Sequence, residues 1–462
     1  MRLFRSGATV LLTAFAAASA VLAEGPITLS PDQMRNAAAI ALEAGDAERA
    51  YTFSEALVKR DEDDWRAHLI HSRAARDLGI FHDAKSSARK AWSLADGAEQ
   101  KYASSMVMAQ ALSSDGKRTR AQLWLRRAVQ HAPNERAANR AVGDFQYVRA
   151  RNPWHTALAF SITPDSNINN GSSERSSFLN YKITESLFGE QVSYELSGAA
   201  VALSGIEYQL GFATRYRLTE TTRRANDLLF SGLYRTYSLS SEAKRLAPNA
   251  SGSDFAYGTY QLGFLHKSLN FGDRGEYRLA TSVGQSWYGS DEYARFLRLS
   301  AAQRYRLDNG HRIRMRLAGE RLDGITRSDS DTIRADFSYS MILPKGYLLW
   351  TNLTTAVASS SLEEDEFDEI GLQAQVQLPK PIFGATALVG LTLRDRSYDV
   401  SPHSEDGRDE HRVAADMTLI FKEIDYYGFN PTMRISASHT DSNINLYKAK
   451  RLGLNFGIQS AF

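Results

Sequence analysis

From Trp154 to the end of the chain, apolar and polar residues alternate one by one. In residues 311–320, Ile313, Met315 and Leu317 fall on one face, and Arg312, Arg314, Arg316 and Glu320 on the other. In 296–307, Leu297, Leu299, Ala301, Tyr305 and Leu307 oppose Arg298, Arg304 and Arg306. In 370–378, Ile370, Leu372, Ala374 and Val376 oppose Gly371, Gln373, Gln375 and Gln377. The final stretch, 451–462, sets Leu452, Leu454, Phe456 and Ile458 against Arg451, Gly453, Asn455, Gly457 and Gln459, and closes on Phe462. A period of two sorts side chains onto opposite faces of a strand. Such segments predict about fourteen strands, beginning near residues 154, 205, 226, 256, 275, 292, 311, 331, 346, 369, 382, 410, 428 and 448. Their connections alternate in length. Short links at 219–224, 269–274, 307–310, 344–346, 378–381 and 422–427 take turns with longer polar loops at 163–204, 240–255, 322–330, 359–367, 396–408 and 440–447; only 288–291 breaks the rule. An even strand count, short turns at one end and long loops at the other predict a closed transmembrane barrel, apolar face to lipid and polar face to lumen.

Residues 31–150 have another texture, rich in Ala, Arg and Leu. Ser30-Pro31 reads as a helix N-cap followed by proline at the first helical position. Gly45 and Ala50 recur as Gly79 and Ala84 with a spacing of 34, and again, 37 residues later, as Gly116 and Ala121. Small residues Ala38, Ser72 and Ala109 precede each glycine, and Leu125, Ala128 and Pro133 follow the third copy. This spacing resembles the tetratricopeptide repeat: three helix pairs and a capping helix over about 134–148, whose stacked helices present a concave surface. The fold class expected is α plus membrane β, an N-terminal helical repeat domain followed by a fourteen-stranded antiparallel barrel. The expected boundaries are a signal peptide at 1–23, a periplasmic helical domain at 24–150 and an outer-membrane barrel at 151–462.

Composition changes this picture little. The first 23 residues carry Arg2 and Arg5, a short apolar core and small residues before Glu24, the pattern of a secretory signal. Elsewhere no apolar run reaches the ~18–20 residues a membrane helix needs. The formal charge of +2 over the whole chain gives no global argument for nucleic acid, and none is expected as a partner. The absence of cysteine excludes disulfides and a lipidated cysteine.

Catalytic signals are weak. The ten histidines are scattered, and no zinc-protease, serine-hydrolase or phosphate-loop motif is present. His155 reads as a rim residue and Glu363-Glu364-Asp365-Glu366 as a solvated loop tip, so no catalytic, cofactor or metal residues are assigned. The lumen face is expected to carry Arg298, Arg304, Arg306, Arg312, Arg314, Arg316, Arg334, Arg412 and Arg434, some of them paired with Glu320, Asp336 and Asp416. The pentapeptide D-S-N-I-N occurs twice, as Asp165, Ser166, Asn167, Ile168 and Asn169 after the first strand and as Asp441, Ser442, Asn443, Ile444 and Asn445 before the last. In a closed barrel those strands are neighbours, which places both copies at the outer end of the seam, as loop caps or as a specialised seam. The long first loop carries Phe178-Leu179 and Leu187-Phe188, expected to fold partly into the lumen.

Asn152-Pro153-Trp154 opening the first strand, Pro164 to Asn170 after it, and the order of leader, helical repeats and barrel resemble the surface lipoprotein assembly modifier family of Gram-negative outer membranes, the type XI secretion translocons. The resemblance implies a periplasmic helical domain, a fourteen-stranded barrel, and delivery of particular lipoproteins or secreted proteins to the surface. It implies a client polypeptide and outer-membrane lipid as partners, with periplasmic chaperones and the barrel-assembly machinery as further ones, and no cofactor. The alternative reading is a channel for polysaccharide or small anionic solutes, which an arginine-lined lumen suits.

Overall fold

The computed structural model describes residues 28–460; the expected signal peptide and terminal Phe462 lie outside them. The chain divides into two compact units, one ending at Asp96 and the other running from Gly97 onward.

The first unit holds four helices, α1 (Pro31–Glu43), α2 (Ala47–Arg60), α3 (Trp65–Asp77) and α4 (Phe81–Leu94). Ser30 caps α1 through a reciprocal bond with Gln33, and Asp46 and Asp64 cap α2 and α3. α1 passes to α2 through Gly45 and α3 to α4 through Gly79, at φ of 79° and 77°. At each turn the residue after the glycine donates 2.8 Å back to a helix carbonyl five residues earlier, Asp46 to Ala41 and Ile80 to Ala75. That backbone needs a left-handed residue, which glycine supplies without a Cβ penalty. The close approach of paired helices is made by small residues: Ala38, Ala50, Ser72 and Ala84 are fully buried, and Ser72 donates to the Ala84 carbonyl at 2.8 Å.

Between α2 and α3 the His71 ring stacks 4.5 Å from Tyr51, with its Nδ1 3.2 Å from Ser54 Oγ, and the Tyr51 hydroxyl donates to Asp83 at 2.9 Å. Burial and the Asp83 bond push the Tyr51 phenol up to about 12. Burial, outweighing the pull of Asp83, holds the His71 imidazole below its ordinary value. The unfolded chain therefore takes up the His71 proton first, so this stabilisation is complete above about pH 6.5 and is lost as pH falls from there toward the folded value. Amide exchange in α2 and α3 of the full chain is expected to accelerate between about pH 7 and 5, and His71→Asn to flatten that dependence. Identical pH profiles for the two proteins would remove His71 as the cause.

The second unit begins with α5 (Ala98–Ser114), α6 (Arg118–Gln130) and α7 (Glu135–Arg151), where Gly116 makes the same left-handed turn and Lys117 donates to Leu112 at 2.8 Å. Asn134 caps α7. Asn152 then ends the helix and orients the next strand, its side chain donating to Thr119 and accepting from the Trp154 N–H.

Fourteen barrel strands follow, besides a short two-stranded sheet (Ser176–Phe178 with Ser193–Glu195) in the first loop: β1 (Trp154–Asp165), β2 (Gly205–Glu220), β3 (Arg224–Leu239), β4 (Tyr257–Asn270), β5 (Gly275–Tyr288), β6 (Asp291–Arg306), β7 (Arg312–Gly324), β8 (Ser330–Ile342), β9 (Leu348–Ser360), β10 (Phe367–Gln377), β11 (Thr386–Tyr398), β12 (Arg408–Ile420), β13 (Phe429–Ser442) and β14 (Ala449–Ser460). Each pairs antiparallel with its sequence neighbours and β1 with β14, which closes the barrel. Strand starts fall within four residues of those read from alternation, the largest offset being β11 at Thr386 against 382.

The end carrying α7 and the short turns is the near end; the end carrying the long loops is the far end. The outward face is an apolar belt of side chains such as Leu158, Leu299, Leu317 and Ile458, all exposed because no protein covers them. A Trp154–Tyr216 ring pair, 4.6 Å apart, sits at its near edge. Among the described residues no helix is long and apolar enough to cross a membrane; the closed sheet supplies the spanning elements, its ladders satisfying the backbone polar groups of every strand pair except along part of the β1–β14 closure.

Candidate functional site: the barrel seam and lumen

The β1–β14 seam differs from the other ladders. β1 pairs with β2 along its whole length, Trp154–Tyr216 through Asp165–Gly205. With β14 it makes three pairs, Ser161–Gly457, Ile162–Phe456 and Asp165–Gly453, all in its far half. The near half of β1 has no ladder partner on that side among the described residues.

Side chains fasten the far end. Asp165, almost fully buried, accepts from Arg451 at 2.6 Å, and Asn455 donates to Thr163 at 2.7 Å. Ser166 exchanges two bonds with the Leu452 backbone, and Asn167 donates to the Lys450 carbonyl at 3.3 Å. Breaking a buried ion pair such as Asp165–Arg451 from one side costs about 3–5 kcal/mol. Inside the barrel, a cavity of about 620 Å³ lies against this seam, lined by Thr163, Asp165, Glu207, Arg412, Arg451 and Asn455 among others.

The chain just after the first D-S-N-I-N copy reaches the second here, Ser172 donating to the Asn445 carbonyl at 2.6 Å. The copies share one local role and differ in another. In both, the isoleucine is buried (Ile168, Ile444) and the central asparagine closes the loop. Asn167 bonds to Gly171 in both directions, whereas Asn443 accepts from the Asp409 N–H and donates to the Gly407 carbonyl. Asn169 holds Ala199, Val201 and Leu203 of the first loop, and Ser442 accepts from the Ile444 N–H. The aspartates diverge, because Asp165 points into the lumen while Asp441 is exposed and pairs with Lys448 at 3.5 Å.

The 166–204 loop does not enter the lumen as expected from its apolar content. It lies across the far-end loops, Tyr181 donating to the Pro402 carbonyl, Leu446 to Ser177 Oγ and His403 to the Phe178 carbonyl. Its Ile168 and Leu203 pack with Ala243, Ala247 and Phe255 of loop 240–256. Phe178, Leu179, Leu187 and Phe188 stay exposed, at 39–69%, because a hydrogen-bonded brace on both sides holds the loop at the rim.

The near end is fastened from the helices. Arg126 of α6 donates to the carbonyls of Tyr427 and Gly428 at 3.0 and 2.8 Å and to Ser460 Oγ of β14 at 2.8 Å. It lies over the rings of Phe145 and Phe429, and Gln130 accepts from the Tyr427 N–H at 2.9 Å. α7 leads directly into β1, where Arg149 approaches His155 at 2.9 Å and Pro153 accepts from the Arg217 N–H at 2.8 Å. The α6–α7 pair thus grips both sides of the seam where the strands themselves do not pair. Nothing in the sequence marks Arg126 for this; a helix arginine contacting a turn 301 residues away has no local signal.

Along the lumen wall, register sets Arg298, Arg304, Arg306, Arg312, Arg314, Arg316, Arg334, Arg412 and Arg434 on the face opposite the apolar belt. Four are paired: Arg298 with Glu320, Arg316 with Asp336 at 3.7 Å, Arg334 with Glu369 at 3.7 Å, and Arg434 with Asp416 at 3.1 Å. Arg412 donates to Ser438 at 3.2 Å. In the far-end loop, Asp365 accepts from Ser328 and Glu366 from the Ser360 N–H, so these carboxylates shape turns.

A closed fourteen-stranded antiparallel sheet with an apolar outer belt and a charged lumen, joined to helical repeats, defines an outer-membrane barrel protein with an N-terminal repeat region. Residues 154–457 match the model of the surface lipoprotein assembly modifier family, and the chain belongs to that family. No curated protein matches it. Among solved structures, the type III secretion translocator chaperone SycD of Yersinia enterocolitica is similar to part of the chain (19% identity, 27% of this chain and 88% of that one, TM-score 0.24). An outer-membrane channel of Pseudomonas putida F1 is similar to another part (12% identity, 66% and 95%, TM-score 0.33). So is a loop-deletion mutant of the outer-membrane protein OmpT of Vibrio cholerae (7% identity, 67% and 99%, TM-score 0.33). Family and fold define a role in lipoprotein assembly or passage at the outer membrane.

Proposed function

We propose that this protein is an outer-membrane translocon that delivers specific lipoproteins or secreted proteins to the cell surface. In this reading the helices and the near end face the periplasm, the helical repeats over residues 24–150 collect the client, and the barrel over 151–462 passes it outward. The observation that carries the reading is the seam. A ladder of three pairs, locked at one end by side chains and gripped at the other by α6 and α7, suits a barrel whose wall parts for a chain. A plain diffusion channel has no need of a weak ladder. Stacked helical pairs also suit a polypeptide client better than a sugar or small solute. The D-S-N-I-N residues Asp165, Ser166, Asn167, Asn169, Asp441, Ser442, Asn443 and Asn445 then serve as the outer clasp of the seam.

The test is surface display. Co-expressed with its client lipoprotein, the chain is expected to make that client accessible to protease on intact cells; display equal to that of cells lacking the chain would defeat the reading. Orientation has its own test. Single cysteines in loops 361–366 or 399–407 are expected to react with a membrane-impermeant maleimide on intact cells, and cysteines in turn 343–347 only after the outer membrane is breached. Equal labelling of both groups would reverse or dissolve the assignment.

A further inference from the structure

Of the nine arginines set on the lumen face, four are neutralised by a carboxylate and Arg412 is held by the Ser438 hydroxyl. The other four are not neutralised. Arg304 and Arg306 of β6 and Arg312 and Arg314 of β7 lie next to the near-end turn, exposed to the lumen, with no carboxylate at ion-pair distance among the described residues. Register sets them directly opposite one another, Arg304 against Arg314 and Arg306 against Arg312. Like charges facing across a ladder destabilise a sheet, and here two such pairs stand in succession. The nearest acids are engaged elsewhere: Glu276, opposite Arg304 on β5, is bound to Arg278 at 2.5 Å, Asp336 faces Arg316, and Asp308 of the turn is bound to Arg274. Seven strands away, the near ends of β13 and β14 present Asn430, Thr432 and Gln459, hydrogen-bonding but uncharged.

A folded protein keeps an uncompensated charge cluster where something else compensates it. The spacing indicates what. Successive inward residues along one strand are about 6.7 Å apart, and neighbouring strands about 4.8 Å apart. The first is also the repeat of alternate side chains in an extended peptide, so carboxylates at every second position of a client can meet the arginine rows in step, each in a charge-assisted bond.

We propose that Arg304, Arg306, Arg312 and Arg314 form a binding site for an acidic, extended polypeptide segment at the near end of the lumen. The site holds the client as it leaves the periplasm and enters the barrel. This rests on the reading of the barrel as a polypeptide route, and it names the chemistry of the segment that enters first.

The test uses the full chain in detergent and a fluorescein-labelled dodecapeptide of alternating Glu and Ser, followed by anisotropy. Wild type is expected to bind this peptide and not its Lys-Ser counterpart, with affinity falling as salt rises. Having lost four charge contacts, the R304Q/R306Q/R312Q/R314Q chain is expected to bind roughly tenfold more weakly or worse. Because the substitution removes like-charge pairs, the variant barrel is expected to melt at the same temperature as wild type or higher on a heat-shift gel. Unchanged peptide binding by the variant, a lower melting temperature, or pyrophosphate competing as well as the peptide at equal charge would each overturn the proposal. Client display separates this from the reading beneath it. A wild-type chain that displays its client but binds no acidic peptide sinks the site alone, whereas one that displays no client sinks the translocon.

Discussion

A disulfide across the seam, made by Ser161→Cys and Gly457→Cys, is expected to stop client display while leaving the barrel folded and inserted. The two residues face each other in register on the lumen side of β1 and β14. A Cβ at Gly457 would sit 3.2 Å from Thr432 Oγ1 and 3.5 Å from the Phe160 carbonyl, close enough to need a small adjustment and no more. The expectation follows from how little holds the seam. Parting β1 from β2 breaks twelve residue pairs, and parting β1 from β14 breaks three, together with the Asp165–Arg451, Asn455–Thr163 and Ser166–Leu452 contacts. At about 1 kcal/mol net per ordinary hydrogen bond, that difference makes the seam the weaker of the two ladders that hold β1. In lipid, exposed ladder groups cost several kcal/mol each, so opening must be brief or covered by the client's own backbone. Display should fall to the level of cells without the protein when crosslinking is near complete on a gel, and return on reduction. Normal display by the locked barrel would exclude seam opening and leave the lumen as the whole route.

Removal of the first unit is expected to have an equally large effect by a different route. Deleting residues 31–96 takes away α1–α4 and spares Arg126 and Asn152, which fasten the near end of the seam. The remaining chain should insert and show the normal heat shift, because every barrel ladder and the α6–α7 grip are intact. Client display should nonetheless drop to background, since the helical pairs proposed to collect the client are gone. Wild-type display by this truncated chain would show α1–α4 to be dispensable. A longer deletion through residue 152 cannot answer the question, because it also strips the contacts to Tyr427, Gly428 and Ser460.

These two experiments mark the boundary between what could be read from the chain and what could not. Period-two alternation located all fourteen strands, and the alternating lengths of their links separated the two ends. Both signals are local and repeated at every strand, so errors in one segment do not propagate. The helical turns were equally legible, since Gly45, Gly79 and Gly116 each meet the same need for a left-handed residue. The doubled D-S-N-I-N was visible as a pattern and, through barrel closure, as a pair of neighbours. One aspartate points in and the other out because Asp165 is in step with lumen-facing Thr163 of its strand, whereas Asp441 is out of step with lumen-facing Arg434 of its own. Alternation also set the nine arginines on one face; which four find a carboxylate depends on cross-strand register.

Register across the seam is where reading along the chain stops. Alternation does not say which residue of the first strand faces Gly457 of the last, and the fold places Ser161 there. The offset between first and last strands is set by closure of the whole sheet, to which every strand contributes its tilt. The same cause hides the Arg126 contacts and the resting place of the 166–204 loop, which both depend on partners hundreds of residues away in the chain. The sequence by itself determined the elements, their order and which face of each strand meets lipid, because those follow from side-chain chemistry at fixed local periods. Only the tertiary structure decided that the closing ladder, among the described residues, is three pairs long and that helices hold its open end, because closing a ring is a property no single strand possesses.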